Sequence, residues 1–404
     1  MLQAVFNQWS NQIRLKQSLL VKVLICSRFS TNHLTTKAAT FSNSPKELSI
    51  LFFGSDDFSV HSLSLLHRNF IDHDSSRKII KELEIITTKE DNPVGLFCRR
   101  INQPFNLFDE FKKRDDLHYD LGIISSFGRM IPSKIIDSCQ FGMLNVHGSL
   151  LPRWRGASPI QRAVLAGDSV TGITIIRIHS KKFDTGEILL QQPIEILHRI
   201  SSLQLKKIMA PIGAKLVWQC LENLDFYLSN LKEQSEDGIT NAPKIEKSDG
   251  EIDWKQMDSY EIDRRFRAFN GFIDVYTHWI DGTILKLGDI LDPDLVNRLK
   301  ISTLCGDNLH HKPGLIYYHK KRHILCVASA NGTWSAFRSL TLKGRKKMSA
   351  LGFSNTFIRP MIKKFKAENH GQRAFLVIGN DADQRGLFSI DQLDNHYNHK
   401  MISR

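Results

Sequence analysis

Three things are scarce in this 404-residue chain. Cysteine is the first: there are six, and no two stand in a C-x-x-C pair. That argues against a thiolate metal site and against a disulfide framework, and it fits a reducing compartment. Long apolar runs are the second. None approaches the ~20 residues of a membrane span, so no association with a membrane is expected. Repeated glycine is the third. The turn after the first strand-like run reads Gly54-Ser55-Asp56-Asp57, with one glycine and two acids. A dinucleotide fingerprint needs several glycines for close approach to a pyrophosphate, so NAD is rejected. His, Cys and Asp spacings that would suggest a metal are missing as well, and no metal is expected.

Acidic residues are missing locally. Residues 1–46 contain six Lys/Arg and no acid. They are rich in Ser, Thr and Asn, and Phe6, Trp9, Ile13, Leu20 and Leu24 recur at roughly helical spacing. This make-up suits a mitochondrial transit peptide, and it places the protein in the mitochondrial matrix. Residues 301–370 hold thirteen Lys/Arg against Asp307 and Glu368. The chain's net charge is +13, so what lies outside these two regions carries −4. A mildly acidic body with one basic region is an electrostatic footprint for a polyanion.

What is present is a regular alternation of strand and helix patterns. Residues 47–55 (ELSILFFGS) form a near-continuous apolar run, as expected for a strand buried on both faces. FSVHSLSLL begins a helix, with Asp56 or Asp57 available at its N-terminus. Further strands are expected in residues 82–88, 119–128, 142–148, 171–180 and 187–196, the last two partly antiparallel. A long helix from about residue 203 to 224 closes this half. The pattern predicts an α/β, doubly wound, mostly parallel sheet. Residues 232–250 are polar and rich in turn formers, as a linker is. One helix (259–270) and several short β-type runs follow, suggesting a small barrel. After about residue 367 only Phe375–Ile378 resembles a strand.

The most informative stretch is residues 142–161, GMLNVHGSLLPRWRGASPIQ. Side chains alternate along a strand, so Asn145 and His147 share a face while Val146 turns into the core. In open α/β sheets the carboxyl ends of the strands are where ligands bind. An amide beside a titratable base suits acyl-group chemistry, because one polarises a carbonyl and the other handles a proton.

The string NVHGSLLPRWRG resembles the folate-dependent formyltransferases, in particular their methionyl-tRNA branch of mitochondrial type. The likeness continues through Asp168 and Gly172-Ile173-Thr174, then Asp184-Thr185-Gly186, then IDW (252–254), RAFN (267–270) and GRKKMSA (344–350). It covers about residues 48–357. The resemblance implies a Rossmann-like formyltransferase domain (47–231), the linker (232–250), an OB-like tRNA-binding domain (251–366) and a tail (367–404). It implies formyl transfer from 10-formyltetrahydrofolate to the α-amine of methionyl-tRNA, for initiation of mitochondrial translation by a monomer. Carried over residue by residue, Asn145 donates to the formyl oxygen, His147 contacts it or moves a proton, and Asp184 holds His147. Ser149, Leu150, Leu151 and Pro152 line the folate pocket. Arg345, Lys346 and Lys347, with Lys320, Lys321 and Arg322, meet tRNA phosphates.

Two departures from the family pattern stand out. The segment after the second strand lacks the basic insertion that bacterial relatives use on the acceptor stem; Lys89, Arg99 and Arg100 stand there instead. The residues before Asp184 read His179-Ser180-Lys181-Lys182-Phe183 in place of the usual acid and glycine. Rival readings are another 10-formyltetrahydrofolate-dependent formyltransferase or hydrolase, and a non-catalytic RNA-binding protein. The first class predicts neither a basic second domain nor an import sequence. The second predicts loss of Asn145, His147 or Asp184, and all three are present.

Overall fold

The computed structural model describes residues 47–72, 78–178, 184–301, 312–370, 372 and 375–389. The expected transit peptide (1–46), the segment 179–183 and the end of the tail (390–404) lie outside them. Among the described residues no helix is long and apolar enough to cross a membrane.

The fold is α/β. Strand β1 (Leu48–Gly54) is buried along its whole length. Its alternation divides the interior in two. Ile50 and Phe52 face the main core, while Leu51 and Phe53 face a second cluster with Phe108, Phe111 and Phe127. There Phe53 meets the other three rings edge-on at 5.1–6.3 Å. Buried on both faces, β1 takes the centre of a parallel array with β2 (Ile80–Thr87), β3 (Asn106–Leu107), β4 (Leu121–Ser125) and β5 (Met143–His147). β6 (Val170–Arg177) and β7 (Ile188–Glu195) extend the sheet antiparallel, giving the order β3-β2-β1-β4-β5-β6-β7.

Helices cover both faces. The helix Asp57–Ile71 starts in a capping box, with the Asp56 carboxylate accepting from the Phe58 and Ser59 amides. The helix Ser202–Glu222 has its own, built from Ser201 and Gln204. Gly213 lets this second helix lie close to the sheet: a Cβ there would sit 3.0 Å from Val146 Cγ1.

The second half is an antiparallel, OB-like sheet. Strands β8 (Tyr276–His278), β9 (Ile284–Ile290), β10 (Ile316–His319), β11 (Ile324–Ala328), β12 (Trp334–Leu342) and β13 (Met348–Ser349) run in the order β10-β11-β12-β9-β8, with β13 on β12. The helix Ser259–Phe269 packs Phe266 on Phe337. Beyond residue 367 a hairpin of β14 (Phe375–Val377) and β15 (Gly386–Phe388) is described. Its Phe375 and Val377 join a core with Leu315, Ile324 and Trp334.

The halves meet through both apolar and ionic contacts. One cluster runs from Leu48 and Val146 through Trp254, Phe269 and Phe337 to Ile378. Arg199, before the Ser202–Glu222 helix, pairs with Asp263 at 2.7 Å and Asp292 at 3.1 Å. Arg264 Nε donates to the Leu165 carbonyl, and Ser202 Oγ to that of Ala268.

Candidate active site

The carboxyl end of β5 carries Asn145 and His147 on one face, with Val146 in the core behind them. The residues after His147 form a loop tied down at almost every step. Thr174 Oγ1, opposite His147 on β6, donates to the Ser149 carbonyl and accepts from the Leu151 amide. Ser149 Oγ donates to the Arg153 carbonyl, and Gln191 Nε2 to that of Leu151. Ser149 and Leu151 are buried and spend these polar groups inside the loop, so they hold its shape. Leu150 and Pro152 are half-buried and form its more open wall.

Asp168 then gathers the next turn. Its carboxylate accepts from Arg153 Nε and Nη2 and from the Trp154 indole, at 2.6–2.9 Å. The Arg153 guanidinium lies 4.5 Å from the centre of the Trp154 ring. Arg155 grips the carboxamide of Gln234. Both arginines and Trp154 are therefore fasteners of the loop. Gly156, at φ +127°, crosses so near the chain at Ala242 that a Cβ would lie 2.5 Å from its carbonyl oxygen.

Three residues distant in the chain converge beside this loop. Asp184 Oδ1 accepts from Asn145 Nδ2 at 3.2 Å and lies 3.6 Å from His147 Nδ1. Its Oδ2 accepts from the Gly156 amide at 2.9 Å. His147 Nε2 is 2.8 Å from the Trp154 carbonyl. A carbonyl only accepts, so this contact assigns the proton to Nε2 and turns Nδ1 toward the carboxylate. The side chains are 5% exposed for His147 and 13% for Asp184. Asn145 keeps a second amide proton beyond the one given to Asp184. The group thus offers a free donor, an imidazole nitrogen and a fixed carboxylate, nearly dry.

A neighbouring element had no marking in the sequence reading beyond its strand. Ser126–Met130, which follows β4 at the same edge, has Ser126 and Gly128 at positive φ and Met130 68% exposed. Ser126 Oγ donates to Asp56 Oδ2, which Lys206 also pairs. A methionine two residues beyond a glycine at a strand's carboxyl end was the signal available. Cys139 behaves as a packing residue: burial pushes its thiol up to about 12. A hollow of about 560 Å³ lies at the amino ends of the parallel strands, beside Ser49, Glu82 and Tyr119. It is remote from Asn145, His147 and Asp184.

The basic residues sit on two turns. Lys320, Lys321 and Arg322 link β10 to β11, while Arg345, Lys346 and Lys347 link β12 to β13. In the antiparallel register Leu325 faces Phe337 and Leu285 faces Leu342, so both turns hang from one end of the sheet. All six residues are exposed. Lys347 pairs with Asp289 at 3.0 Å. In the first half, Arg99 pairs with Glu90, and Arg100 lies over the Phe97 ring.

With this geometry in hand, comparison with known proteins is specific. A family model for formyl transferase matches residues 90–221, and one for the formyl transferase C-terminal domain matches residues 244–357. The mitochondrial methionyl-tRNA formyltransferase of Bos taurus is 34% identical over 330 residues, covering 81% of this chain and 82% of the relative. That of Homo sapiens is 35% identical over the same shares. The methionyl-tRNA formyltransferase of Caldicellulosiruptor saccharolyticus is 30% identical over 77% of this chain and 97% of its own. Among solved structures, HypX from Aquifex aeolicus in complex with tetrahydrofolic acid aligns with a TM-score of 0.50 at 16% identity. That alignment covers 78% of this chain and 48% of HypX, and it bears on the fold alone.

Proposed function

The chain belongs to the methionyl-tRNA formyltransferases, and on that premise we propose that Asn145, His147 and Asp184 are the centre at which it works. The reaction moves the formyl group of 10-formyltetrahydrofolate to the α-amine of methionyl-tRNA. The folate brings the formyl carbon and leaves with a proton on its nitrogen. The protein's part is to stabilise charge on the formyl oxygen and to relieve the attacking amine of a proton.

The residues divide these tasks by their contacts. Asn145 uses one amide proton to reach Asp184 and aims the other at the developing oxyanion. His147 cannot rotate, because Trp154 holds Nε2. Its Nδ1 takes the proton shed by the amine and returns one to the departing nitrogen. The Asp184 carboxylate, 3.6 Å from that nitrogen, fixes the orientation of the ring. An α-amine titrates near ~8, so an appreciable share of substrate is neutral and ready to attack at physiological pH.

A folate fits the surroundings. Leu150, Pro152 and the exposed Met130 offer apolar surface, and the polar groups stay few and fixed. The loop 149–152 forms one wall of that pocket. The antiparallel half, joined through residues 232–250, takes the tRNA: Lys320, Lys321, Arg322, Arg345, Lys346 and Lys347 contact phosphates from one end of its sheet. We place the working enzyme in the mitochondrial matrix as a monomer, with residues 1–46 as its import signal.

The convergence of Asn145, His147 and Asp184 around one carboxylate carries this reading. Its test is formylation of mitochondrial methionyl-tRNA with 10-formyltetrahydrofolate, comparing the wild type with His147→Ala. A fall in kcat of about 10² to 10⁴ is expected. Equal rates would reject the site.

A further inference from the structure

Gln234 is the side chain whose contacts the reaction has not yet used. It lies where the chain leaves the first half, two residues after Lys232 pairs its backbone with Ile188 on β7. From that edge strand its carboxamide reaches back into the loops of the site. Nε2 donates to the carbonyls of Asp184 and Gly186, each at 2.8 Å. Oε1 accepts from Arg155 Nε at 3.0 Å and Nη2 at 2.8 Å. A carboxamide has two N–H donors and two lone pairs, and here all four are engaged.

What it grips is strained backbone. Asp184 sits at φ +49°, in the left-handed region that a side chain ordinarily avoids. Gly186 passes so near Arg177 that a Cβ would fall 1.6 Å from its carbonyl oxygen. The turn 184–186 is thus pressed against β6 on one side and held by Gln234 on the other. Arg155 is anchored in turn, its amide bonded to the Thr240 carbonyl and its own carbonyl to the Ala242 amide. Because the direction of a Cα–Cβ bond follows φ and ψ, the peptide Gln234 holds sets where the Asp184 carboxylate points.

We propose that Gln234 is a positioning residue for formyl transfer: by clamping the carbonyls of Asp184 and Gly186 it keeps the Asp184 carboxylate on Asn145, His147 and Gly156. The inference rests on the reading of Asp184 given above. Glutamine is required for its mixed character. A glutamate would still accept from Arg155 but would turn a carboxylate oxygen toward two carbonyl oxygens, and an alanine would hold neither side. A displacement of about 1 Å at a reacting group can cost ~100-fold in rate, so loss of the clamp is read in kcat.

The test measures kcat and the KM for each substrate in Gln234→Ala and Gln234→Glu, alone and combined with Asp184→Asn. Both single variants are expected to lose about 10- to 100-fold in kcat, with each KM held within about 2-fold. The near-isosteric glutamate keeps the test valid should alanine fold poorly. On the Asp184→Asn background, either change is expected to cost less than about 2-fold further, since residues acting through one another are not additive. An unchanged kcat, a matching rise in either KM, or a full additional loss on that background overturns the proposal. An Asp184→Asn enzyme with wild-type activity would instead overturn the site reading beneath it.

Discussion

The site around Asp184 and the basic turns of the second sheet handle charge in opposite ways. Asp184 is nearly buried, and both its oxygens are committed to neighbours set by the backbone. Arg345, Lys346 and Lys347 are exposed on a turn, with Lys347 alone of the three in an ion pair among the described residues. On the proposed roles, the difference follows from what each region would meet. A formyl carbon in flight needs donors already aimed, because aiming during the reaction costs rate. A polyanion needs positive potential over a wide surface, and long hydrated side chains supply it without fixed geometry.

That contrast can be broken by kinetics. Asn145→Ala is expected to lower kcat by about 10² to 10³ while leaving the KM for tRNA within a few-fold. A variant that lost tRNA affinity and kept kcat would erase the distinction between the regions. Truncation after residue 372 comes next. It removes Phe375 and Val377 from the core they share with Leu315 and Trp334, at about 1.5–3 kcal/mol for each side chain. Residual activity at 25 °C with faster loss on heating is expected; unaltered heat resistance would make the hairpin an ornament.

Smaller effects sharpen the comparison. Lys346→Ala is expected to raise the KM for tRNA several-fold, leave the KM for folate unchanged and reduce the salt slope by about one. Lys347→Ala is expected to do less, because Asp289 already offsets its charge and Ser339 helps hold that carboxyl below its usual range. Equal salt slopes for the wild type and both variants would remove the turn from the interface. The least effect belongs to the buried thiols. Burial raises Cys98 to about 11, and Cys139 and Cys220 to about 12. Unfolded thiols ionise near 9 while the folded ones stay neutral, so their contribution is intact below 9 and is lost between about 9 and 12. The urea midpoint should therefore fall between pH 8 and pH 10, and less so in Cys139→Ala.

The legible parts of the sequence were those decided by neighbours in the chain. β1 could be read from its unbroken apolar run, and the helix cap narrowed to Asp56 or Asp57, of which Asp56 fills it. Asn145 and His147 could be set on one face because a strand alternates. The antiparallel turn of β6 and β7 was visible in their short separation. The rest depended on partners far away. Taken alone Asp184 reads as an ordinary turn residue; the family motif singled it out, and its contacts with residues 145, 147 and 156 show why it sits there. Gln234 lies fifty residues from the carbonyl it holds. β15 has three residues, too few to show a period, and it forms by pairing with β14, Leu387 opposite Leu376.

The unbroken apolar cluster linking the two sheets, reinforced by Arg199 on Asp263 and Asp292, has a consequence for inheritance as well as for folding. The shared core couples the two halves, so calorimetry is expected to record one peak. A lesion in the antiparallel half would then drain the folded pool of the whole enzyme, and the cell would experience it as a shortage of initiator formylation.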